Sequence, residues 1–336
     1  MAALTRKERE QIAERRIVSV IRTQGVANLR TLEHKIADAG PNPQRVQPHI
    51  LTPVKAALVK SGRLIQLNQN NAQWLHLSDE DPARVEARLA ELANLQSEFS
   101  NRTVVRRTGQ ALEIAIFRAL VAADGVTPLG GFSDLEEHDD AQLYSKEETR
   151  NLNGLSLGKR ALDFIAVIGG DFCGIEAKNV RPWLYPNDHQ IREAVAKART
   201  LGVVPVIIAR RIPFVTFRVL GTCGVILHET YNQRMANADA QIAARARHKD
   251  QLGYHDIRVG NEPDARLTRF VGTNLPNLVA SAKAKLGDYG DLLDAFANGM
   301  EYREFAARAR RRQLGQNEDH DWKEVADDED RDPLDD

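Results

Sequence analysis

Three ionisable residues, Asp163, Glu176 and Lys178, lie in a stretch of sequence that predicts how they meet. The stretch reads RALDFIAVIGGDFCGIEAKNV, and its two apolar runs flank a glycine-containing turn at 169–171. Apolar runs separated in this way are typical of a β-hairpin. Asp163 opens the first strand, and Glu176 and Lys178 close the second. We therefore expect the open end of the hairpin to bring the three side chains into one neighbourhood.

The spacing of Glu176 and Lys178 within the second strand predicts that their side chains act at the same site. Glu176 and Lys178 are two residues apart, so both side chains project from one face of the strand while Ala177 faces the other way. Two carboxylates that converge at one end of a sheet form an oxygen-ligand site for Mg²⁺ or Mn²⁺. A nearby ammonium orients a water or stabilises developing negative charge. A surface salt bridge is the ordinary explanation for any one of these residues, but the set favours a metal site.

The segments before the hairpin predict a helix and then a loop. Residues 108–123, TGQALEIAIFRALVAA, form a mostly apolar helix that carries one acid, Glu113. Residues 125–158 are rich in glycine and acidic residues and predict a long irregular loop, of the kind that shapes a binding site or is disordered. An acid among apolar neighbours has a functional role or a partner.

In this order the residues resemble the PD-(D/E)xK nuclease superfamily, in particular its restriction-endonuclease-like and Holliday-junction-resolvase-like members. The core of that superfamily is an αβββαβ fold with a Glu on the helix and an Asp, then (Glu/Asp)-x-Lys, on a hairpin. Glu113, Asp163 and the tripeptide Glu176-Ala177-Lys178 match these positions. One departure is that Leu162, not proline, precedes the Asp. The resemblance covers about residues 105–230.

The resemblance implies a metal-dependent endonuclease that hydrolyses DNA. Asp163, Glu176 and Glu113 would hold Mg²⁺ (or Mn²⁺), and Lys178 would serve the attacking water. A helix after the Pro-rich loop places Gln190 where many relatives have an auxiliary glutamine, and Lys197 lies two turns further on. The runs VVPVIIA and FVTFRVL then predict two strands that return to the sheet.

The N-terminal 78 residues predict a winged helix-turn-helix. Helical spacing of apolar residues indicates helices over 5–23, 28–39 and about 46–59, and the strands GRLIQL and AQWLHL follow with a polar NQNN turn. Three helices and a hairpin in this order would offer the third helix to the major groove of duplex DNA. Its candidate DNA contacts are Arg45, Gln47, His49 and Lys55. Docking to another protein or dimerisation is the alternative use of such a module.

We therefore predict an α/β protein of five segments. They are a winged-helix domain at 1–78, a linker helix at 79–104, a nuclease core at 105–232, a helical C-terminal extension at 233–316 and an acidic disordered tail at 317–336. The linker helix has an apolar stripe, VxxxLxxLxxLxxxF, that leaves a homodimer open.

Charge is unevenly distributed, although the formal net charge is only −1. Residues 1–77 contain twelve Lys and Arg against five acids, whereas residues 317–336 contain eleven acids and two bases. A basic head with an acidic tail is the pattern that conceals a nucleic-acid-binding surface within a neutral total. A solvated charged face and a disordered tail are the ordinary alternative.

Several classes of protein are disfavoured. The two cysteines, Cys173 and Cys223, have no CxxC spacing, so neither a disulfide framework nor a cysteine zinc site is expected. No apolar run is long enough to span a membrane and no signal peptide is evident, which predicts a cytoplasmic protein. P-loop and GxGxxG motifs are absent, so any ATPase would be a separate partner protein.

The host role predicted is restriction-like, phage defence or DNA repair. Two alternatives to a DNase remain open, an RNase on the same scaffold and a DNA-binding transcriptional regulator with an inactive nuclease-like domain.

Overall fold

The computed structural model describes residues 4–38, 46–70, 72–136 and 140–318. The chain has a mixed α/β fold, as predicted. It divides into two compact units, the first formed by residues up to 105 together with 239–257, and the second by 106–238 and 258–318. Within the described ranges, every helix is too short or too polar to cross a bilayer.

The elements follow one another along the chain as α1 Arg6–Gln24, β1 Ala27–Asn28, α2 Leu29–Ala37, α3 Pro48–Lys60, β2 Leu64–Gln69, β3 Ala72–Leu77, α4 Pro82–Phe99, α5 Arg102–Ala122, β4 Val126–Leu129, β5 Gly131–Phe132, β6 Lys146–Glu147, β7 Asn151–Leu152, β8 Leu155–Ser156, β9 Phe164–Ile168, β10 Asp171–Lys178, α6 His189–Leu201, β11 Val204–Ala209, α7 Phe214–Thr222, β12 Ile226–Glu229, β13 Gln233–Met235, α8 Ala240–Arg247, β14 Ile257–Val259, α9 Ala265–Arg269, α10 Leu275–Ala297 and α11 Tyr302–Gln313.

The first unit begins with three helices and an antiparallel hairpin, and it also contains α4 and α8. The hairpin β2–β3 pairs Leu64 with Leu77, and β1 adds a third strand by pairing Ala27 with Leu75. Helix α1 begins with a capping box, because Thr5 accepts from the Glu8 backbone while the Glu8 carboxylate accepts from the Thr5 backbone. Trp74 of the hairpin shares a hydrophobic cluster with Val26 and with Leu89 and Leu92 of α4.

The second unit is built on a five-stranded sheet in the order β12-β11-β10-β9-β4. Strands β4, β9 and β10 are antiparallel neighbours, whereas β10, β11 and β12 run parallel. Parallel neighbours need crossover connections, which α6 and α7 provide. The carboxyl ends of β10, β11 and β12 consequently lie at one edge of the sheet.

Helices cover both faces of this sheet. Leu112 and Ile116 of α5 share a core with Phe164 and Ile175 on one face. The opposite face packs against α6, whose Val195 shares a second core with β11 and the C-terminal helices. The inner strand β11 is buried throughout, as expected for a strand with helices on both sides.

Two local predictions are wrong, and a third, that of a helical C-terminal extension, is incomplete. The run FVTFRVL, predicted to be a strand from its β-branched and aromatic residues, is helix α7, because the parallel pairing of β11 with β12 requires a crossover at this point. The segment 125–158 contains β4 and the short pairs β5–β6 and β7–β8, so it is not one irregular loop. The extension after 232 contains the short strands β13 and β14 as well as helices.

A glycine in β10 is required by close packing. A Cβ added at Gly174 would lie 2.7 Å from Val203 Cγ2 and 2.8 Å from Leu162 Cδ1. We expect Gly174→Ala to lower the free energy of unfolding by about 1 to 3 kcal/mol, because the added methyl overpacks the sheet. Gly287→Ala is the matched control: the added Cβ meets nothing within 4 Å, and alanine favours the helix. Thermal unfolding should shift downward for the first variant only, and equal midpoints would contradict the packing.

Candidate active site

The β9–β10 hairpin brings the predicted residues together at its open end. Gly169 and Gly170 form the turn with positive φ angles of 58° and 88°, which glycine adopts without strain. Ile175 pairs with Phe164, so β10 continues past the start of β9. Asp163 immediately precedes β9, and its Oδ2 accepts a hydrogen bond of 2.8 Å from the Ala177 backbone N–H. This bond fixes the Asp163 carboxylate beside the tripeptide on β10.

Helix α5 contributes Glu113 to the same place. The bridge is Lys146, whose Nζ lies 2.6 Å from Glu113 Oε2 and 2.8 Å from Asp163 Oδ1. The Lys146 side chain is only 9% exposed, and its ammonium lies 4.9 Å from the centre of the Phe164 ring. Two carboxylates from different elements therefore surround one enclosed cation.

Glu176 has two ammonium partners of its own. Lys178 Nζ lies 2.8 Å from Glu176 Oε2, and Lys197 Nζ, from α6, lies 2.9 Å from Oε1. The Glu176 side chain is 3% exposed, compared with 19% for Lys178 and 10% for Lys197. Lys178 is therefore the more accessible of the two lysines, while Lys197 lies deeper.

Asn179, the residue after Lys178, connects this edge to α5. It is buried, and its amide donates to the carbonyl oxygens of Thr108 at 2.5 Å and Arg234 at 2.8 Å. Thr108 lies on α5, five residues before Glu113. The end of β10 and the helix that carries Glu113 are thus joined by one side chain, which keeps the carboxylates in register.

Burial and repulsion between carboxylates raise the pKa values of Glu113 and Glu176. Burial raises the pKa of Glu113 to about 7, the charge of Asp163 acts in the same direction, and Lys146 opposes both. Burial, and then the charge of Asp163, also raise the pKa of Glu176 against the opposing charges of Lys178 and Lys197. Carboxyl groups with elevated pKa values at a sheet edge are characteristic of functional sites.

The pKa values of Lys146 and Lys178 shift upward, which keeps both side chains charged. Burial lowers the pKa of Lys146, but the charges of Asp163 and Glu113 outweigh it, so the net shift is upward. Burial likewise lowers the pKa of Lys178, and its attraction to Glu176 more than compensates. Both side chains are therefore ammonium ions at neutral pH and act as donors, not as bases.

The elevated pKa of Glu113 predicts a pH dependence of stability in EDTA. Because the folded protein binds this proton more tightly than an unfolded chain with a pKa near 4.5, Glu113 weakens folding progressively as pH rises from 4.5 to about 7. Burial lowers the pKa of His228 to about 4, so His228 acts in the opposite direction up to about pH 6.5.

The Glu113 contribution is isolated by comparison with Glu113→Gln. Between pH 5 and 7 we expect the free energy of unfolding of this variant to fall less steeply than that of the wild type. Denaturant unfolding at each pH measures both slopes. Glu86→Gln, an exposed change on α4, should retain the wild-type slope. Identical slopes for wild type and Glu113→Gln would show that Glu113 does not titrate in this range.

The chemistry of the donor set fits a hard divalent cation at one position. Glu113 and Asp163 direct oxygens at the place held by the Lys146 ammonium, and Mg²⁺ in proteins commonly uses one or two carboxylates together with water. Glu176 directs both oxygens at lysines instead. Across the part of the chain that the structure describes, no three His, Cys, Asp or Glu side chains form a metal-binding group. Two carboxylates, not three, therefore face the cation position.

The remaining predicted residues lie elsewhere. Gln190 is in the first turn of α6, where its backbone N–H donates to the Asp188 carboxylate, and its side chain makes no hydrogen bond to the residues around Lys146 within the described ranges. Gln47 is the N-cap of α3, and His49 is exposed in its first turn.

Two of the predicted DNA contacts, Lys55 and Arg45, gain no support from the described residues. Lys55 is buried in an ion pair with Glu33 of α2, which accounts for its charge within the protein. Arg45 lies outside the described residues.

Lys146 is the residue that sequence reasoning missed. It lies in a segment without hydrophobic periodicity, among acids that indicated only a loop. Lys197, two turns after Gln190 on α6, lies against Glu176. No protein-family model matches the chain, and comparisons with curated proteins and with solved structures returned no match.

Proposed function

We propose that this protein is a metal-dependent nuclease that hydrolyses phosphodiester bonds of DNA. The observation that carries the proposal is the site itself. Three carboxylates (Glu113, Asp163, Glu176) and three ammonium groups (Lys146, Lys178, Lys197) converge at one sheet edge. Phosphoryl transfer depends mainly on positioning and charge stabilisation, for which such a set is suited.

The order of elements supports a restriction-endonuclease-like core. Helix α5, strands β4, β9 and β10, helix α6 and strand β11 follow the αβββαβ order implied by the resemblance to PD-(D/E)xK nucleases. The acidic and basic residues lie at the positions which that resemblance assigns to the helix acid, the hairpin Asp and the tripeptide. Fold order and residue chemistry therefore support the same activity.

Glu113 and Asp163 are the residues that would hold Mg²⁺ or Mn²⁺, with Glu176 close by. A bound ion would supply Lewis-acid polarisation of a phosphate ester and a lower pKa for water. The protein's own contribution is to place Lys178 beside that position, where its ammonium stabilises negative charge and orients a water. Glu176 holds Lys178 in place, and the charge of Lys197 opposes the rise in the pKa of Glu176.

The first unit supports binding to duplex DNA. Three helices followed by the β2–β3 hairpin match the order of a winged helix, in which the third helix enters the major groove. In this unit α3 presents His49, and Gln47 occupies its N-cap position without a side-chain capping hydrogen bond. We propose that α3 docks on DNA through these residues and that the second unit carries out cleavage.

The proposal is tested by cleavage of supercoiled plasmid, linear duplex, single-stranded DNA and RNA, each with Mg²⁺, Mn²⁺ or EDTA. Wild type should cut DNA only with metal, and Asp163→Asn should be inactive because one oxygen that faces the cation position is lost. Cutting confined to RNA would favour the RNase alternative. Absence of cutting with salt-sensitive duplex binding in both proteins would favour the regulator.

A further inference from the structure

Beside the candidate active site, aromatic and arginine side chains form a stack. Arg211 Cζ lies 5.5 Å from the centre of the Trp183 ring and 4.9 Å from that of Tyr231. Arg266 Cζ lies 4.2 Å from the centre of the Tyr231 ring. Arg211 is buried, whereas Tyr231 and Arg266 are exposed, so the stack leads from the interior to the surface. Its outer end presents a guanidinium over an aromatic ring.

The stack lies at the sheet edge that ends in Lys178. Lys178 pairs with Ala209 of β11, and Ala209 pairs with Glu229 of β12. Arg211 follows β11 by two residues, and Tyr231 follows β12 by two residues. Two strand spacings amount to about 10 Å, which is about three nucleotide steps along a DNA strand. A strand that passes Lys178 would therefore reach the stack within a few nucleotides.

The backbone at Tyr231 is in a conformation that tyrosine rarely adopts. Its φ is 62°, in the left-handed region that favours glycine or asparagine. The Tyr231 N–H donates to the Arg210 carbonyl at 3.0 Å, which holds this conformation. The residue nevertheless remains 41% exposed, so burial of the side chain does not account for the strained backbone. A strained backbone that displays an aromatic ring favours a binding role for that ring.

Charge indicates the chemistry of the ligand. Arg211 is paired with Glu229 at 3.2 Å, which fixes the inner part of the stack. Arg266 forms no salt bridge with a residue that the structure describes, although its side chain hydrogen-bonds Tyr231, so no paired carboxylate neutralises its positive charge. Nucleic acid offers both required groups, since its bases stack on aromatic rings and guanidinium planes and its phosphates attract the charge.

We propose that this stack holds an unpaired base of a DNA strand that enters the candidate active site. A base inside a duplex already has stacking neighbours on both faces, so an overhang or a flap supplies the free face that the outer end of the stack, the Arg266 guanidinium over Tyr231, binds. The inference rests on the proposed function, because it assigns that site a DNA substrate with an unpaired segment next to the duplex.

Binding in EDTA tests the inference without cleavage. The full-length protein is titrated into a labelled duplex with a short single-stranded overhang and into the blunt duplex of equal length, and anisotropy gives both Kd values. We expect wild type to prefer the overhang substrate. Tyr231→Leu and Arg266→Gln should each weaken overhang binding about tenfold and leave blunt-duplex binding nearly unchanged, as expected for one stacked base.

Three controls separate stacking from charge and from folding. Tyr231→Phe keeps the ring and should retain the preference, and Arg269→Gln removes an equal charge from α9 without touching the stack. The fluorescence of 2-aminopurine in the overhang should change on binding to wild type and not on binding to Arg266→Gln. If Tyr231→Leu does not fold, Arg266→Gln, a surface change, decides the matter.

Other outcomes overturn the inference. Equal losses on overhang and blunt duplex, the same loss in Arg269→Gln, or no wild-type preference would show that the stack is an ordinary surface contact. Tighter stacking-dependent binding of RNA would overturn the DNA assignment. A wild type that shows the preference but cuts nothing would leave this inference standing while the proposed nuclease activity fails.

Discussion

Lys178→Met is expected to reduce DNA cleavage by about 1000-fold while leaving the protein folded. Removing one preorganised donor that stabilises developing negative charge typically costs two to three orders of magnitude in rate. The raised pKa of Lys178 means that the side chain is an ammonium at the pH of the assay, so the loss is that of a donor and not of a base. Cleavage of linear duplex under single-turnover conditions measures the effect.

Folding is preserved in this variant because Glu176 retains Lys197 at 2.9 Å. We expect the free energy of unfolding to fall by only about 1 to 3 kcal/mol, as for the loss of one charged hydrogen-bond partner. Lys159→Met, an exposed change in the same unit, is the control and should cleave DNA normally. Retention of most of the activity by folded Lys178→Met would contradict the role given to this lysine.

Lys197→Met separates the two partners of Glu176. Lys197 is the deeper lysine, with its ammonium also 3.3 Å from Glu193. Its removal should therefore affect stability at least as much as Lys178→Met does, and cleavage less. If both variants lose cleavage equally, Glu176 positioning, and not direct contact of Lys178 with substrate, determines the rate.

The sequence predicted the hairpin and its three residues because two physical signals agree there. Apolar runs of strand length flank a glycine turn, and the two-residue spacing of Glu176 and Lys178 fixes their common face. The structure adds the bond from Asp163 to the Ala177 backbone, which no pattern in one sequence indicates. The sequence therefore predicts the hairpin and the shared face of Glu176 and Lys178. The contacts that orient each carboxylate depend on elements distant in sequence.

The errors have equally specific causes. FVTFRVL has the composition of a strand, but its position between two parallel strands requires a helix, so tertiary context overrides local preference. Lys146 enters the site through β6, a two-residue strand paired with β5, and such short pairs leave no periodic signal. Lys55 carries the charge expected of a phosphate contact, yet it forms an ion pair with Glu33 of a neighbouring helix. The spacing of residues along one helix does not predict an ion pair between two helices.

Lys146→Met is expected to destabilise the metal-free protein strongly and to increase its response to Mg²⁺. Without the ammonium, Glu113 and Asp163 face each other with no cation between them. Removing one partner from a buried ionic cluster costs about 3 to 5 kcal/mol, less the relief obtained when Glu113 takes up a proton. Because that proton is harder to gain at high pH, the loss measured in EDTA should grow as pH rises from 7 to 9.

Mg²⁺ should reverse this loss, because the position held by Lys146 in the wild type is then open. In the wild type an ion must displace an ammonium that makes two hydrogen bonds of 2.6 and 2.8 Å, so the rise in thermal midpoint on adding Mg²⁺ should be smaller than in Lys146→Met. Calorimetric titration of metal into both proteins gives an independent affinity, and Lys159→Met should behave as wild type.

This result would define the role of Lys146 as a tethered cation that stabilises the two carboxylates until metal binds. An equal Mg²⁺ response in wild type and Lys146→Met would show that the ion does not compete with Lys146, and so that Glu113 and Asp163 are not its ligands. A large loss of stability without any Mg²⁺ response would show that the three carboxylates and three ammonium groups form a structural ion-pair network and not a metal site. The comparison therefore separates a metal site from a buried salt-bridge cluster even if cleavage is never observed.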